Sequence, residues 1–426
     1  MSNMMSRFNL VLVAMMSLAS GLMAQQDARD PERTTVGGQW KADVFPIGFW
    51  CGPPPEFVTV ARYQQIKDAG FTHVTPSCAG GGSIEQNRNV LDTAQEVGLE
   101  AFIYDSRMPI GVPDDATKQR IQGIANDYKS HPALAGYHLF DEPEAGAFPA
   151  LAQTVAALRE ADPDHVAYIN ILPNYAPLDA LGTPTYEAHV EQFLQVVRPA
   201  ILSYDHYSFL LKADRSGFLE NLELVRRESM EHQVPFWQIV LLMDHHGVYR
   251  RPTEGEKRWE AMQTLAFGGK GLMFFTYWQP AGDPSWGEAV IAFDGTPTAQ
   301  YDEVSRVNPD VQAIGKYLLP AKSLQVLRDS KRREVNACND VVRFGGANLT
   351  VGVFEHERTC YVLFTNRDYR NGVPVSVSTS TGASLEMLHK ATDEWQPVHG
   401  DAQPGTTKVR FELAPGDGEL FRWTAR

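Results

Sequence analysis

Eight short apolar runs, each followed by a stretch of amphipathic texture, constrain this chain more than any other feature. The runs are Val44–Trp50, Phe71–Ser77, Glu100–Asp105, Leu134–Phe140, Val166–Ile171, Ala200–Tyr204, Phe236–Leu242 and Gly271–Tyr277. Most are nearly continuous in apolar residues, as strands covered on both faces should be. The segments between them repeat at helical spacing, as in Phe57–Ala69, Ile84–Val97, Thr117–Lys129 and Phe148–Glu160. Thr253 followed by Glu256, and Ser83 by Gln86, have the spacing of a capping box and mark two helix starts. Eightfold alternation with short connections predicts a closed (β/α)8 TIM barrel over residues 40–317. A doubly wound open sheet is the alternative. No Gly-x-Gly-x-x-Gly follows the first run, which speaks against a dinucleotide domain.

From Leu318 onward the texture changes. Val335–Phe344, Leu349–Phe354, Tyr361–Asn366, Val373–Val377 and Val409–Leu413 are short, often alternating, and separated by turn residues. They predict a C-terminal antiparallel β-sandwich over residues 318–426. At the other end, Arg7 precedes an apolar run from Leu10 to Ala24, and polar Gln25-Gln26 follows. That order is expected of a signal peptide spanning residues 1–24, with a retained anchor as the alternative. The mature chain is then expected in the periplasm or secreted, with no membrane partner. Export permits disulfides. Cys51 and Cys78 end the first two predicted strands, while Cys338 and Cys360 share the C-terminal module. No metal-ligand spacing is present; pairing within each set is one expectation, and a single bond with two buried free thiols is the alternative.

A net charge of −14, spread along the chain, argues against nucleic acid or an anionic membrane as partner. It also disfavours a highly acidic polysaccharide unless the cleft itself is basic. Arg107 and Arg250-Arg251 are the basic residues that strand register puts near the mouth, too few for a uronate-cleaving lyase. No cofactor motif is found, and His245-His246 on an extended strand would point to opposite faces, so neither cofactor nor metal is expected.

In a parallel barrel, chemistry is done where the strands end. The predicted rim carries Trp50 and Cys51, Tyr104 and Asp105, Asp141 and Glu142, Asn170, Asp205 with Tyr207, Asp244 with His245 and His246, and Trp278. Carboxylates, amides and aromatic rings gathered on one face suit a sugar, whose apolar face stacks on rings while polar groups take its hydroxyls. The run Gly136-Tyr137-His138-Leu139-Phe140-Asp141-Glu142-Pro143 stands out, because its proline leaves two acids where the strand leaves the sheet. His138 alternates off the acid pair and is expected to pack rather than react.

The barrel with Asp141-Glu142-Pro143 closing strand four resembles the clan of (β/α)8 glycosidases related to cellulases and β-galactosidases, which close that strand with Asn-Glu-Pro. The resemblance implies an acid/base role for Glu142 and places Asp141 where the clan's sugar-binding Asn stands. It implies a glycoside hydrolase acting on a carbohydrate by a two-carboxylate mechanism. One departure matters: the clan's strand-seven Glu is absent from Trp237-Gln238-Ile239-Val240-Leu241-Leu242-Met243-Asp244. Asp205 is therefore the expected second catalytic carboxylate, with Asp244, Asp105 and Glu288 behind it. Asp141, Trp50, Tyr104, Asn170, Tyr207, His245, His246 and Trp278 are expected to bind sugar. A carbohydrate-binding barrel without catalysis is the competing reading.

Overall fold

The computed structural model describes residues 40–282, 285–328, 333–338, 340–379, 385–398, 401–403 and 406–424. The expected signal segment lies outside them. Eight parallel strands form the first sheet: β1 (Ile47–Phe49), β2 (His73–Val74), β3 (Glu100–Ile103), β4 (Leu134–Asp141), β5 (Val166–Ile171), β6 (Leu202–His206), β7 (Phe236–Leu241) and β8 (Gly271–Phe275). Their order is β1-β8-β7-β6-β5-β4-β3-β2. The seam between β1 and β2 is closed by single contacts rather than a ladder. Thr72 N donates to Ile47 O at 2.9 Å and Gly52 N to Pro76 O at 3.0 Å. The Cys51–Cys78 disulfide ties the two strand ends together. The expected TIM barrel is present.

Helices pack around the sheet: α1 (Val60–Asp68), α2 (Ile84–Val97), α3 (Asp115–Tyr128), α4 (Phe148–Ala161), α5 (Leu178–Leu181), α6 (Tyr186–Val196), α7 (Phe218–His232), α8 (Glu254–Ala266) and α9 (Ala299–Leu318). Ser83 with Gln86 and Thr253 with Glu256 form both expected capping boxes. The helix expected from Phe57 begins instead at Val60, because Thr59 caps it by accepting from Arg62 N. The barrel interior is filled by Phe102, Tyr168, Trp237, Ile239 and Met273, with Trp40 standing edge-on to Trp237 beneath them. It is a packed core, so ligands are left to the mouth.

Two features of β4 set up that mouth. A Cβ on Gly136 would lie 2.3 Å from Val166 O, so only glycine lets β4 approach β5 this closely. The β4–β5 register then shifts between His138 and Phe140. Such a bulge re-aims the residues beyond it.

The C-terminal region forms two antiparallel sheets. The first holds β10 (Glu334–Ala337), β11 (Asp340–Gly345), β14 (Val373–Thr379), β18 (Thr406–Leu413) and β17 (Asp401–Gln403). The second holds β16 (Glu394–Pro397), β15 (Glu386–His389), β19 (Gly418–Thr424), β13 (Thr359–Asn366), β12 (Leu349–His356) and β9 (Lys322–Leu327). Their facing side chains, among them Val351, Val362, Phe364, Val375 and Phe421, make a second core. The run expected as one strand from Val335 to Phe344 is two, because Cys338 turns the chain with φ +46°. Cys338 is bonded to Cys360. Helix α8 joins the two halves: Gln263 Nε2 donates to Thr365 Oγ1 at 2.9 Å, and Gly352 has no room for a Cβ beside Ala266 O.

Replacing Gly136 with Ala should push β4 off β5 and cost about 1–3 kcal/mol. Thermal melting should show a loss of several degrees. An unchanged melting temperature would mean that β4 and β5 can separate freely at that point.

Candidate active site

Glu142 leaves β4 in a left-handed conformation, φ +48°, with its N–H donating to Asn170 O at 2.8 Å. That conformation is uncommon for a residue with a Cβ and is found where surrounding structure enforces it. Here it has a clear consequence. Consecutive residues of a regular strand send their side chains to opposite faces, whereas Asp141 and Glu142 are both open to solvent and close enough to feel each other's charge.

Behind them lies Asp205, on β6 and only 1% exposed. Asn170 on β5 bridges the two aspartates, its Nδ2 donating to Asp141 Oδ1 at 3.2 Å and Asp205 Oδ1 at 3.0 Å. The amide is itself oriented, since Ser203 Oγ donates to Asn170 Oδ1 at 3.2 Å and lies 2.7 Å from the Tyr168 hydroxyl. The Asp205 carboxyl is also within hydrogen-bonding reach of the Glu142 carboxyl. Asp205 Oδ2 has no other donor. Two carboxyl groups can bond only if one proton lies between them.

Burial, then the charges of Glu142 and Asp141, push Asp205 well above the usual carboxylate range and make it the group that keeps a proton. Asp141 is pushed up to about 7, by burial first and the Glu142 charge second, with the Asn170 amide pulling the other way. Its accessible edge meets water while the rest of the group stands among the mouth walls. The site thus grades from an enclosed acid to two open carboxyls.

A cavity of about 450 Å³ opens beside this cluster over the β1–β2 seam. Trp50, Tyr104, His138, Asn87, Gln86, the Gly80–Gly82 turn and Asp141 line it. Tyr104 is 44% exposed, a flat face offered to the cleft. His138 packs edge-on against Trp50 at 4.7 Å, and burial lowers its pKa to about 4, so it is neutral near pH 7.

The opposite side of the mouth is aromatic. Tyr207 approaches Phe275 (5.3 Å), Tyr249 (5.7 Å) and His245 (5.9 Å). His245 stacks between Tyr249 at 4.3 Å and Trp286 at 5.4 Å, and His246 lies 4.6 Å from Trp286. The His245 ring is buried, which lowers its pKa to about 4, so it serves as wall while exposed His246 can meet a ligand. Among the described residues no group of three or more His, Cys, Asp or Glu is placed to hold a metal ion.

Several expected residues stand elsewhere than the sequence suggested. Trp278 is 3% exposed and packs on Phe57 and under Arg62, so its ring is not a free stacking platform. Asp105 is enclosed; burial works against its charge, but Arg107 and the Tyr128 hydroxyl hold it below the usual range as a structural ion. Asp205, expected as the second catalytic carboxylate, lies behind Asn170 and is 1% exposed, and a nucleophile must touch the anomeric carbon. Asp244 reaches over Gly287, where a Cβ would be 2.2 Å from its oxygens. Tyr175, Arg215, Tyr249, Phe275 and Trp286 were not foreseen. Four of them lie in irregular loops, where no periodicity marks which way a side chain faces.

No protein-family model matches the sequence, and neither does any curated protein. Solved structures do match. A β-galactosidase from Bacillus circulans sp. alkalophilus aligns with a TM-score of 0.61 and 9% identity, over 91% of this chain and 100% of that one. The likeness establishes the fold. A catalytic mutant of a GH42 β-galactosidase from G. stearothermophilus gives 0.60 and 9%, with the same coverage. A glycoside hydrolase family 5 structure from Bacteroides vulgatus gives 0.54 and 12%, over 89% of each chain. This chain therefore has the barrel-and-sandwich architecture of such glycosidases.

A carboxyl whose pKa is raised on folding binds more protons folded than unfolded, so it costs stability as pH rises above its unfolded value. Asp205→Asn should therefore melt higher than the parent at pH 8, with the gain shrinking as pH falls toward about 4. Melting curves across that range check it; a loss of stability at pH 8 would contradict a protonated Asp205.

Proposed function

We propose that this protein is a glycoside hydrolase, and the observation that carries the reading is the pair of open carboxyls, Asp141 and Glu142, backed by the enclosed acid Asp205. Glycosidic cleavage needs a proton delivered to the leaving oxygen and a second carboxylate at the anomeric centre. Glu142 suits proton delivery, because it is exposed just past the end of β4 and can take up the proton that Asp205 retains beside it. Asp205 then positions Glu142 and shares a proton with it without meeting substrate. The role at the anomeric centre falls to Asp141, the other exposed carboxyl and one that lines the cavity, acting on the sugar in its ionised form. Trp50, Tyr104, Tyr207 and His246 supply faces and donors for the sugar rings, and Asn170 sets the electrostatics of both aspartates.

Export belongs to the same reading. The two disulfides, Cys51–Cys78 and Cys338–Cys360, support an oxidising compartment. The fold likeness to β-galactosidases and to a family 5 enzyme supports a carbohydrate substrate.

Glu142→Gln should lower kcat by a factor of about 10² or more while leaving the fold and sugar binding in place. Undiminished turnover would remove Glu142 from the chemistry.

Asp141→Asn separates two roles for Asp141, because it restores the Asn-Glu-Pro order. If Asp141 is the second carboxylate, activity should fall as steeply as in Glu142→Gln. If Asp141 only binds a hydroxyl, the amide should keep most of the activity. In the parent, kcat/KM should rise as pH increases through about 7, where Asp141 ionises, and a flat profile there would contradict the assignment.

A further inference from the structure

The loop from Tyr207 to Gly217 follows β6 and forms one lip of the mouth. It pairs with the loop after β7: Leu211 N donates to Val248 O at 2.9 Å and Arg250 N to Phe209 O at 3.0 Å. Within it, the Arg215 guanidinium carbon lies 3.4 Å from the centre of the Tyr175 ring, and Nη2 donates to the Tyr249 hydroxyl at 3.3 Å. Tyr175 in turn accepts from Tyr207 N through its hydroxyl at 3.3 Å and packs edge-on against His206, the neighbour of Asp205 on β6, with ring centres 5.0 Å apart. Arg215 therefore stands one ring away from the acid cluster, on the aromatic side of the mouth.

Its partners make it unusual. The other mouth arginines are spent on protein carboxylates: Arg107 on Asp105 and Asp127, Arg250 on Asp214 and Glu256, Arg251 on Glu303. Among the described residues no carboxylate comes within ion-pair distance of Arg215. Its buried Nε has no acceptor. The adjacent Asp214 could have served, but it is taken by Arg250 and Arg370 and by the Tyr369 hydroxyl. Tyr369 and Arg370 lie between β13 and β14 of the sandwich, so the C-terminal module grips this lip at the residue beside Arg215.

A half-buried guanidinium with no carboxylate partner costs desolvation, and since its Nε is enclosed, an anion can reach it only at its exposed edge. Its planar fork suits a carboxylate or a sulfate better than a hydroxyl. We infer that Arg215 recognises an anionic substituent, a carboxylate or a sulfate ester, on the carbohydrate that occupies the mouth. Three carboxyls at the centre and a net charge of −14 would repel a uniformly anionic polymer. Recognition is thus of one charged group at a fixed place, with Tyr175 and Tyr249 holding the guanidinium flat beneath it. This assignment rests on the glycosidase reading for its substrate class, but it concerns binding and is tested without turnover.

The test uses the full chain carrying Glu142→Gln and oligosaccharides of one backbone in neutral, uronate-bearing and O-sulfated forms, with affinity measured by calorimetry. At least one anionic form should bind about tenfold tighter than the neutral one. The advantage should shrink in high salt, disappear in Arg215→Gln, and return in part in Arg215→Lys, which keeps the charge and loses the fork. The uronate and sulfate arms tell which group is preferred. Equal binding of neutral and anionic forms would overturn the inference. So would an advantage that survives Arg215→Gln, or no binding by any form. Turnover of the same sugars by the parent chain is scored separately: its absence would count against the hydrolase reading while a charge preference lost with Arg215 still stood.

Discussion

A parallel sheet has to be closed and covered before its strand ends can serve as a site, and the narrowest part of that closure is the seam between β1 and β2. Two residues of β2 are in strand conformation, so the sheet is held there by the Thr72–Ile47 and Gly52–Pro76 hydrogen bonds and by the Cys51–Cys78 disulfide. The main cavity of the mouth rests on this seam, with both cysteines in its lining. The covalent link holds the two strand ends together where the ladder is missing. Across the barrel, Tyr207, Tyr249, His245, Phe275 and Trp286 form the aromatic wall of the mouth.

The acid cluster sits between these two sides and is organised by a single amide. Asn170 gives one N–H bond to Asp141 and another to Asp205, while Ser203 fixes its carbonyl. Three neighbouring carboxyls raise one another's pKa, and the most enclosed one is the least able to carry charge. Burial decides which one yields. Asp205, enclosed, takes the proton; Asp141, at the edge, is pushed up to about 7; Glu142 is left exposed to solvent. In the proposed reading Glu142 is the acid that meets the glycosidic oxygen, and the proton that Asp205 holds beside it is the one that replenishes it.

Much of this was legible in the chain, and what escaped has a physical cause. Near-continuous apolar runs of strand length alternating with amphipathic segments can satisfy few architectures, so the barrel followed from period alone. Ser83 with Gln86 and Thr253 with Glu256 placed two helix starts because capping is local. Proline after two acids marked the end of β4. Burial of single side chains was not readable: Trp278 and Asp205 sit at strand ends like their neighbours, yet one packs on Phe57 and the other lies behind Asn170. The left-handed turn at Glu142 was equally hidden, since only the bulge before it and the Asn170 carbonyl enforce it. Arg215 was missed for a related reason. Loop arginines carry no period, and what distinguishes this one is the absence of a partner, a property of three-dimensional neighbours alone.

The central claim is that the open pair Asp141–Glu142, not the enclosed Asp205, meets the sugar. A crystal structure of the Glu142→Gln variant with an uncleaved oligosaccharide tests it most directly. Residue 142 is expected within about 3 Å of the scissile oxygen and the Asp141 carboxylate facing the anomeric carbon, with Asp205 out of contact. Asp205 or Asp244 at the anomeric carbon, with Asp141 bound only to a ring hydroxyl, would contradict it.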